Sequence, residues 1–239
     1  MNLATFTDPR DGNAYRTVCI GRQCWLVENL KYLPAVCPGT TTPDGSPRCR
    51  VYDYQGWDVR EAKATANYQH YGVLYNWTAA MAASPPGWHL PSDGEWSALT
   101  DFLIRTHTRI TASNVGSALK SRRQAGSPPD GGHDASGHPR WEKLPAPEVG
   151  GTAVIRRLVR ELVDGKPAGR GSDAFGFSAL PGGRMNYGCF YRIGDLGYWW
   201  SSTEASPMRV WIRQMTRGGT VNRWDVCKDY AMSVRCLRD

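Results

Sequence analysis

Two neighbouring hydrophobic runs near the N-terminus, AYRTVCI (14–20) and QCWLV (23–27), look like short strands. Joined at Gly21-Arg22, they predict a short β-hairpin. Pro34 to Pro47 is rich in turn formers and predicts a loop. The period then changes. Val73, Leu74, Trp77 and Met81 recur at helical spacing within His70–Ala83, and Pro85-Pro86-Gly87 stops the run, so a first helix is expected there. A second is expected after Pro91, because Ser92 and Glu95 form the S-x-x-E capping pattern and Trp96, Leu99 and Leu103 share one face. Val154, Ile155, Leu158, Val159 and Leu162 give a third apolar face, with Arg156, Arg157 and Arg160 largely away from it. That is the pattern of a helix docked on the protein body rather than on a membrane. After Gly171 the chain returns to strands and turns: DAFGFSAL, a turn at Pro181-Gly-Gly183, GYWWSST, Met208–Met215 and AMSVRCL. Strands and helices are segregated, which predicts an α+β fold with mainly antiparallel short strands, two or three packed helices and long loops.

Composition sharpens this picture. Apolar residues at 41% and ten tryptophans supply a core, while 26 glycines and 16 prolines require many turns. Ser121 to Gly150 is dominated by Pro, Gly, His and Ser and predicts a surface excursion. His133 and His138 lie there beside Asp130 and Asp134, and are read as solvated loop residues rather than a metal cluster. The net charge of +7 is spread along the chain, so nucleic acid is not the expected partner. No apolar run approaches the ~20 residues that cross a bilayer, so membrane insertion is not expected. The opening MNLATFTDPRDG lacks a basic-then-apolar leader, which implies a leaderless chain or one whose leader has been removed. Seven cysteines leave at least one unpaired. Cys37 and Cys49 bracket a loop that a disulfide could close; Cys19 and Cys24 flank the hairpin turn and either pair or lie buried. Zinc-ligand spacing is absent.

Chemistry of the catalytic kind is not apparent in the pattern. There is no G-x-S-x-G, no P-loop and no G-x-G-x-x-G, and Asp and Glu are too dispersed to nominate an acid/base pair. The expectation is a protein that is not an enzyme and needs no cofactor or metal. Attention falls instead on the C-terminal stretch. In Met208–Met215 one alternating set is Val210, Ile212 and Gln214, the other Trp211, Arg213 and Met215. If Trp211 faces inward, Ile212 and Gln214 face out, and TRGGT is a turn. NRWDVCKDYA follows as an irregular run in which Trp224, Val226, Cys227 and Tyr230 cannot all be buried. Exposed aromatics beside Arg and Asp have the composition of an interaction hot spot. The competing view has Trp224 and Tyr230 closing the core.

The blocks DGNAYRTVCIGRQCWLVENLKYL, YGVLYNWTAAM, PPGWHLPSDGEWSALTDFL, GSALKS, DAFGFSALPGGR, GYWWSSTE and MSVRCLRD occur in an order that resembles the Fibrobacter succinogenes major paralogous domain family. The likeness spans most of residues 9–239. Departures are the insertion at about 122–170 and SPPGWH, where a Cys is expected before the Pro-x-Gly-Trp-His. The resemblance implies a C-type lectin fold of the formylglycine-generating-enzyme type, as a single domain over 1–239. It also implies the variable protein of a diversity-generating retroelement, whose reverse transcriptase writes adenine-specific errors into the 3′ end of the gene. The variable region would be about 197–239. Its ligand-contacting positions would be Pro207, Met208, Ile212, Gln214, Thr216, Arg217, Gly218, Gly219, Trp224, Asp225, Val226, Cys227, Asp229 and Tyr230. Trp199, Trp200, Trp211, Arg213, Asn222 and Arg223 would be framework, with Val221 and Lys228.

By the same resemblance Cys227 is a product of diversification, leaving Cys19–Cys24, Cys37–Cys49 and Cys189–Cys236 as possible disulfides. The implied partner is a varied protein or cell-surface ligand bound by a monomer at a cell surface, in a secreted form or on a phage particle. Energetics fit an outward segment. A dozen exposed changes of about 0.5 kcal/mol and mixed sign drift by about 2 kcal/mol, within a typical stability of about 5–15. The same dozen in a core exceed that margin. The alternatives are an undiversified surface adhesin, a calcium-dependent sugar lectin and an oxidase of the formylglycine-generating type. Trp224-Asp225 faintly resembles a lectin Trp-Asn-Asp, but no Glu-Pro-Asn accompanies it. The oxidase needs a close cysteine pair, whereas Cys227 and Cys236 stand apart.

Overall fold

A computed structural model describes residues 4–122, 141 and 171–239. The strands are β1 (Ala4–Thr7), β2 (Ala14–Ile20), β3 (Gln23–Leu26), β4 (Cys49–Arg50), β5 (Leu74–Tyr75), β6 (Trp88–His89), β7 (Gly182–Asn186), β8 (Cys189–Ile193), β9 (Gly197–Ser206), β10 (Arg209–Met215), β11 (Val221–Cys227) and β12 (Leu237–Arg238). The helices are α1 (Val59–Ala64), α2 (Ala66–Tyr71), α3 (Trp77–Ala83), α4 (Asp93–Thr106) and α5 (Val115–Leu119).

β2 and β3 form the expected hairpin, with Gly21 at φ +62° in its turn and Cys19 paired opposite Cys24 in a disulfide. The C-terminal strand β12 inserts between β3 and β6, giving a sheet of order β1-β2-β3-β12-β6, antiparallel at every pair. A second sheet has the order β11-β10-β9-β7-β8 and is antiparallel except where β7 meets β9. The architecture is therefore α+β with mostly antiparallel sheets.

β9 is the middle strand of the second sheet. Tyr198 and Trp200 enter one apolar cluster and Trp199 the other, so its first half is buried on both faces and cannot alternate with polar residues. The indole N–H groups are satisfied: Trp199 donates to Asn29 Oδ1 (2.9 Å) and Trp200 to the Tyr75 carbonyl (2.7 Å). α4 packs on β9 and β10 with Trp96, Leu99 and Leu103 fully buried. Its N-terminus is closed by the capping box. Ser92 Oγ accepts from the Glu95 N–H (3.2 Å), while the Glu95 carboxylate accepts from the Ser92 N–H (2.7 Å).

The continuous helix expected over 70–83 is instead α2, β5 and α3. Gly72 sits at φ +74° against the Leu30 and Asn29 carbonyls, where a Cβ has no room, and Val73 donates to the Leu30 carbonyl (3.1 Å). This tertiary strand contact overrides helical spacing, and it leaves Met81 exposed. The turn expected at 181–183 opens strand β7. The expected helix over 154–162 and the His133–His138 stretch lie outside the described residues.

Two of the three disulfide pairings are corrected. Cys236 is buried in the core beside Ser84 Oγ (3.5 Å), whereas Cys189 is exposed on β8, so these two thiols are held apart. Cys37 and Cys49 are neighbours, with the Cys37 N–H donating to the Cys49 carbonyl (3.0 Å), but both are free thiols. Burial pushes the Cys49 and Cys236 thiols up to about 12. Thiol titration of the denatured chain is expected to count five, and of the native chain to label Cys189 and Cys227 before Cys236. Cys236 labelling first contradicts this core.

Two fully buried cations tie the sheets to loops. Arg235 donates to the carbonyls of Leu26 (3.2 Å), Phe177 and Ser178 (3.3 Å), and stacks on the Phe177 ring. Lys120 is described below, because it holds part of the candidate site.

Candidate functional site

The C-terminal stretch is regular. Seven consecutive residue pairs, Arg209↔Cys227 to Met215↔Val221, join β10 to β11, so the run starting at Asn222 that reads as irregular is mostly strand. Its period is hidden because both faces of this ribbon are occupied. Val210, Ile212 and Val226 enter the cluster that holds Trp200, while Met215 and Val221 pack against the other cluster. Ile212 is 1% exposed and Val226 is also buried, so the outward placement of both is corrected. Trp211 is correspondingly not a core anchor. It is half-buried, with the Arg223 guanidinium 3.4 Å above its ring. Gln214 is half-buried and accepts from Asn222 Nδ2 (3.2 Å).

The ribbon is anchored to α4 by one carboxylate. Asp93, the first residue of that helix, accepts from Arg213, whose side chain is 4% exposed, and from Arg223 Nε (3.0 Å). Arg213 Nη2 also donates to the Asp93 carbonyl (2.8 Å) and Ser97 Oγ (2.9 Å). Burial works to raise the Asp93 pKa, but the hydrogen bonds from Arg223 and Arg213 more than offset it and hold the carboxyl below its ordinary value.

One end of the ribbon, the turn after Met215, is pinned. Lys120 Nζ donates to the carbonyls of Thr216 (3.1 Å), Arg217 (3.2 Å) and Gly218 (2.9 Å), with the Trp141 ring 5.1 Å away. Burial pulls the Lys120 ammonium down to about 8, leaving it mostly charged at neutral pH. The Gly219 carbonyl accepts from the Gly116 and Ser117 N–H groups (2.6 and 3.2 Å), and a Cβ on Gly219 would strike the Ser113 backbone. Arg217 pairs with Asp195 (2.6 Å). Gly219 therefore cannot be a freely substituted contact position, and the backbone of this turn is held in place. Lys120→Met is expected to cost about 2–3 kcal/mol by leaving three carbonyls without their donor. Faster amide exchange over 216–220 with a lowered melting temperature checks it, and an unchanged melting curve contradicts it.

The other end, roughly 20 Å along the strands, is open. Pro207 and Met208 (73% exposed) form the β9–β10 turn, and Trp224 (57% exposed) stands midway along edge strand β11, opposite Ile212. Arg209 pairs with Asp225, holding that carboxylate below its usual range, and Lys228 binds Glu204 (2.7 Å) over the Trp77 ring. Cys227, Asp229 and Tyr230 are half-buried. Tyr230 meets Tyr187, hydroxyl to hydroxyl at 3.1 Å. Tyr187 is 84% exposed in the β7–β8 turn at φ +48°, a contributor that sequence reasoning missed, although Asn186-Tyr187-Gly188 carries a turn signal. Between these groups and residues 39–43 lies a cavity of about 420 Å³, also lined by Arg50 and Met185.

The arrangement defines a mixed α+β protein presenting aromatic and charged side chains at one end of an anchored ribbon. The chain belongs to the Fibrobacter succinogenes major domain family, whose model matches residues 18–238. No curated protein and no solved structure shows a significant match. Among the described residues, no three His, Cys, Asp or Glu side chains group as metal ligands, and no helix is long and apolar enough to cross a membrane.

Proposed function

We propose that this chain is a non-catalytic ligand-binding protein with a C-type lectin fold of the formylglycine-generating-enzyme type. Its open end is diversified by a retroelement to recognise varied protein or cell-surface ligands. The observation that carries the reading is the division of the C-terminal segment. Pro207, Met208, Asp225, Cys227, Asp229 and Tyr230 lie toward one end of the ribbon and Trp224 is exposed midway along its edge strand, while the remainder is tied to Asp93, Lys120 and the core. Large, rigid aromatics beside Arg and Asp are the side chains from which contact surfaces draw most of their affinity. A scaffold held from behind leaves them free to change without unfolding the chain.

Sequencing the locus tests the diversification. The expected result is a near-copy of the codons for about Gly197–Asp239 beside a reverse transcriptase gene, differing from the coding copy at adenines. A locus without that repeat contradicts it. In the lectin alternative Asp225 would be a calcium ligand, but its carboxylate is engaged by Arg209, which favours the protein-binding reading.

A further inference from the structure

We propose that the cavity beside the open end receives a carboxylate carried on an apolar stem, with Arg50 as its anchor. The inference rests on the open end being a binding surface, and names the chemistry that surface selects. Arg50 lies on β4, is 1% exposed, and has Nε and Nη1 buried without any hydrogen-bond acceptor. A guanidinium keeps its charge when desolvated, so these atoms demand an acceptor from whatever enters. Tyr187, Tyr230, Met185 and Pro43 supply apolar wall. Asp229 stands on the same wall and opposes a multiply charged anion, which selects a monoanion such as a carboxylate over a phosphate dianion.

The origin of the parts matters. Cys227, Asp229 and Tyr230 belong to the C-terminal segment, whereas Arg50 and residues 39–43 lie far upstream. Under diversification the part of the wall made by Cys227, Asp229 and Tyr230 changes while the cationic anchor stays. Each variant then meets a different apolar surround with the same requirement for an acidic group, supplied by a side chain or a chain terminus of a protein ligand.

The test is calorimetric titration of the full chain with phenylacetate and its neutral isostere phenylacetamide. The acid is expected to bind at least about tenfold more tightly, the selectivity of one charge-assisted hydrogen bond. Arg50→Gln is expected to reduce that ratio to about one. If the substituted chain does not fold, the ratio in the unaltered chain decides. Equal affinities, no acid binding at millimolar concentration, or a ratio kept in a folded Arg50→Gln overturns the proposal. Capped tripeptides with either an internal Glu or a free C-terminal carboxylate then separate the two sources, and binding of neither overturns it. Equal affinities retire the cavity but leave the diversified surface standing. A locus without its repeat retires diversification but leaves acid selectivity intact.

Discussion

Asp93→Ala is expected to destabilise the chain by about 3 kcal/mol, because it leaves the Arg213 guanidinium buried without its counter-charge. For a chain of this size that lowers the melting temperature by roughly 6–12 °C. Most of the effect comes from Arg213. Arg223 is 46% exposed, so solvent screening discounts its share. The pH dependence has a definite sign. The Asp93 pKa is lower in the folded chain than in the unfolded one, so its contribution is fully present above the unfolded value near 3.8 and is lost as the pH falls through the lower folded value. Melting curves between pH 7 and 2 should show the difference between the native and Asp93→Ala chains shrinking at the acid end. A constant difference contradicts the assignment.

Ile212→Asn is expected to cost about 4 kcal/mol, combining a core cavity with a buried amide that has no partner. Trp224→Ala, directly opposite Ile212 on the neighbouring strand, is expected to cost about 1 kcal/mol or less, because more than half of that ring is already in water. Chemical denaturation measures both. Equal costs at the two positions contradict the division between buried core and exposed edge strand.

What was legible in the sequence was whatever a short local signal announces. β2 and β3 are strand-forming runs around a Gly21 turn, and the capping pair Ser92–Glu95 announces α4 with its buried stripe. The C-terminal ribbon defeated that logic, since alternation sorts Val210 and Ile212 from Trp211 and Arg213 without saying which set meets the core. In this fold both sets are occupied, one by the Trp200 cluster and the other by α4 and the second cluster. Arg50, Lys120 and Tyr187 were not legible because their roles depend on long-range contacts, such as Tyr187 with Tyr230 across 43 residues and Lys120 with Thr216 across 96. Gly219 reads like any turn glycine until Ser113 is seen against it.

The most direct measurement is a display comparison of two libraries. One is randomised at Pro207, Met208, Trp224, Asp225, Cys227, Asp229 and Tyr230, the other at Ile212, Val226 and Gly219, and each is sorted for protease resistance. The expected result is that most members of the first library stay folded and yield binders to an unrelated protein target, while most of the second are degraded. Loss of folding in the first library at the rate seen in the second contradicts the account.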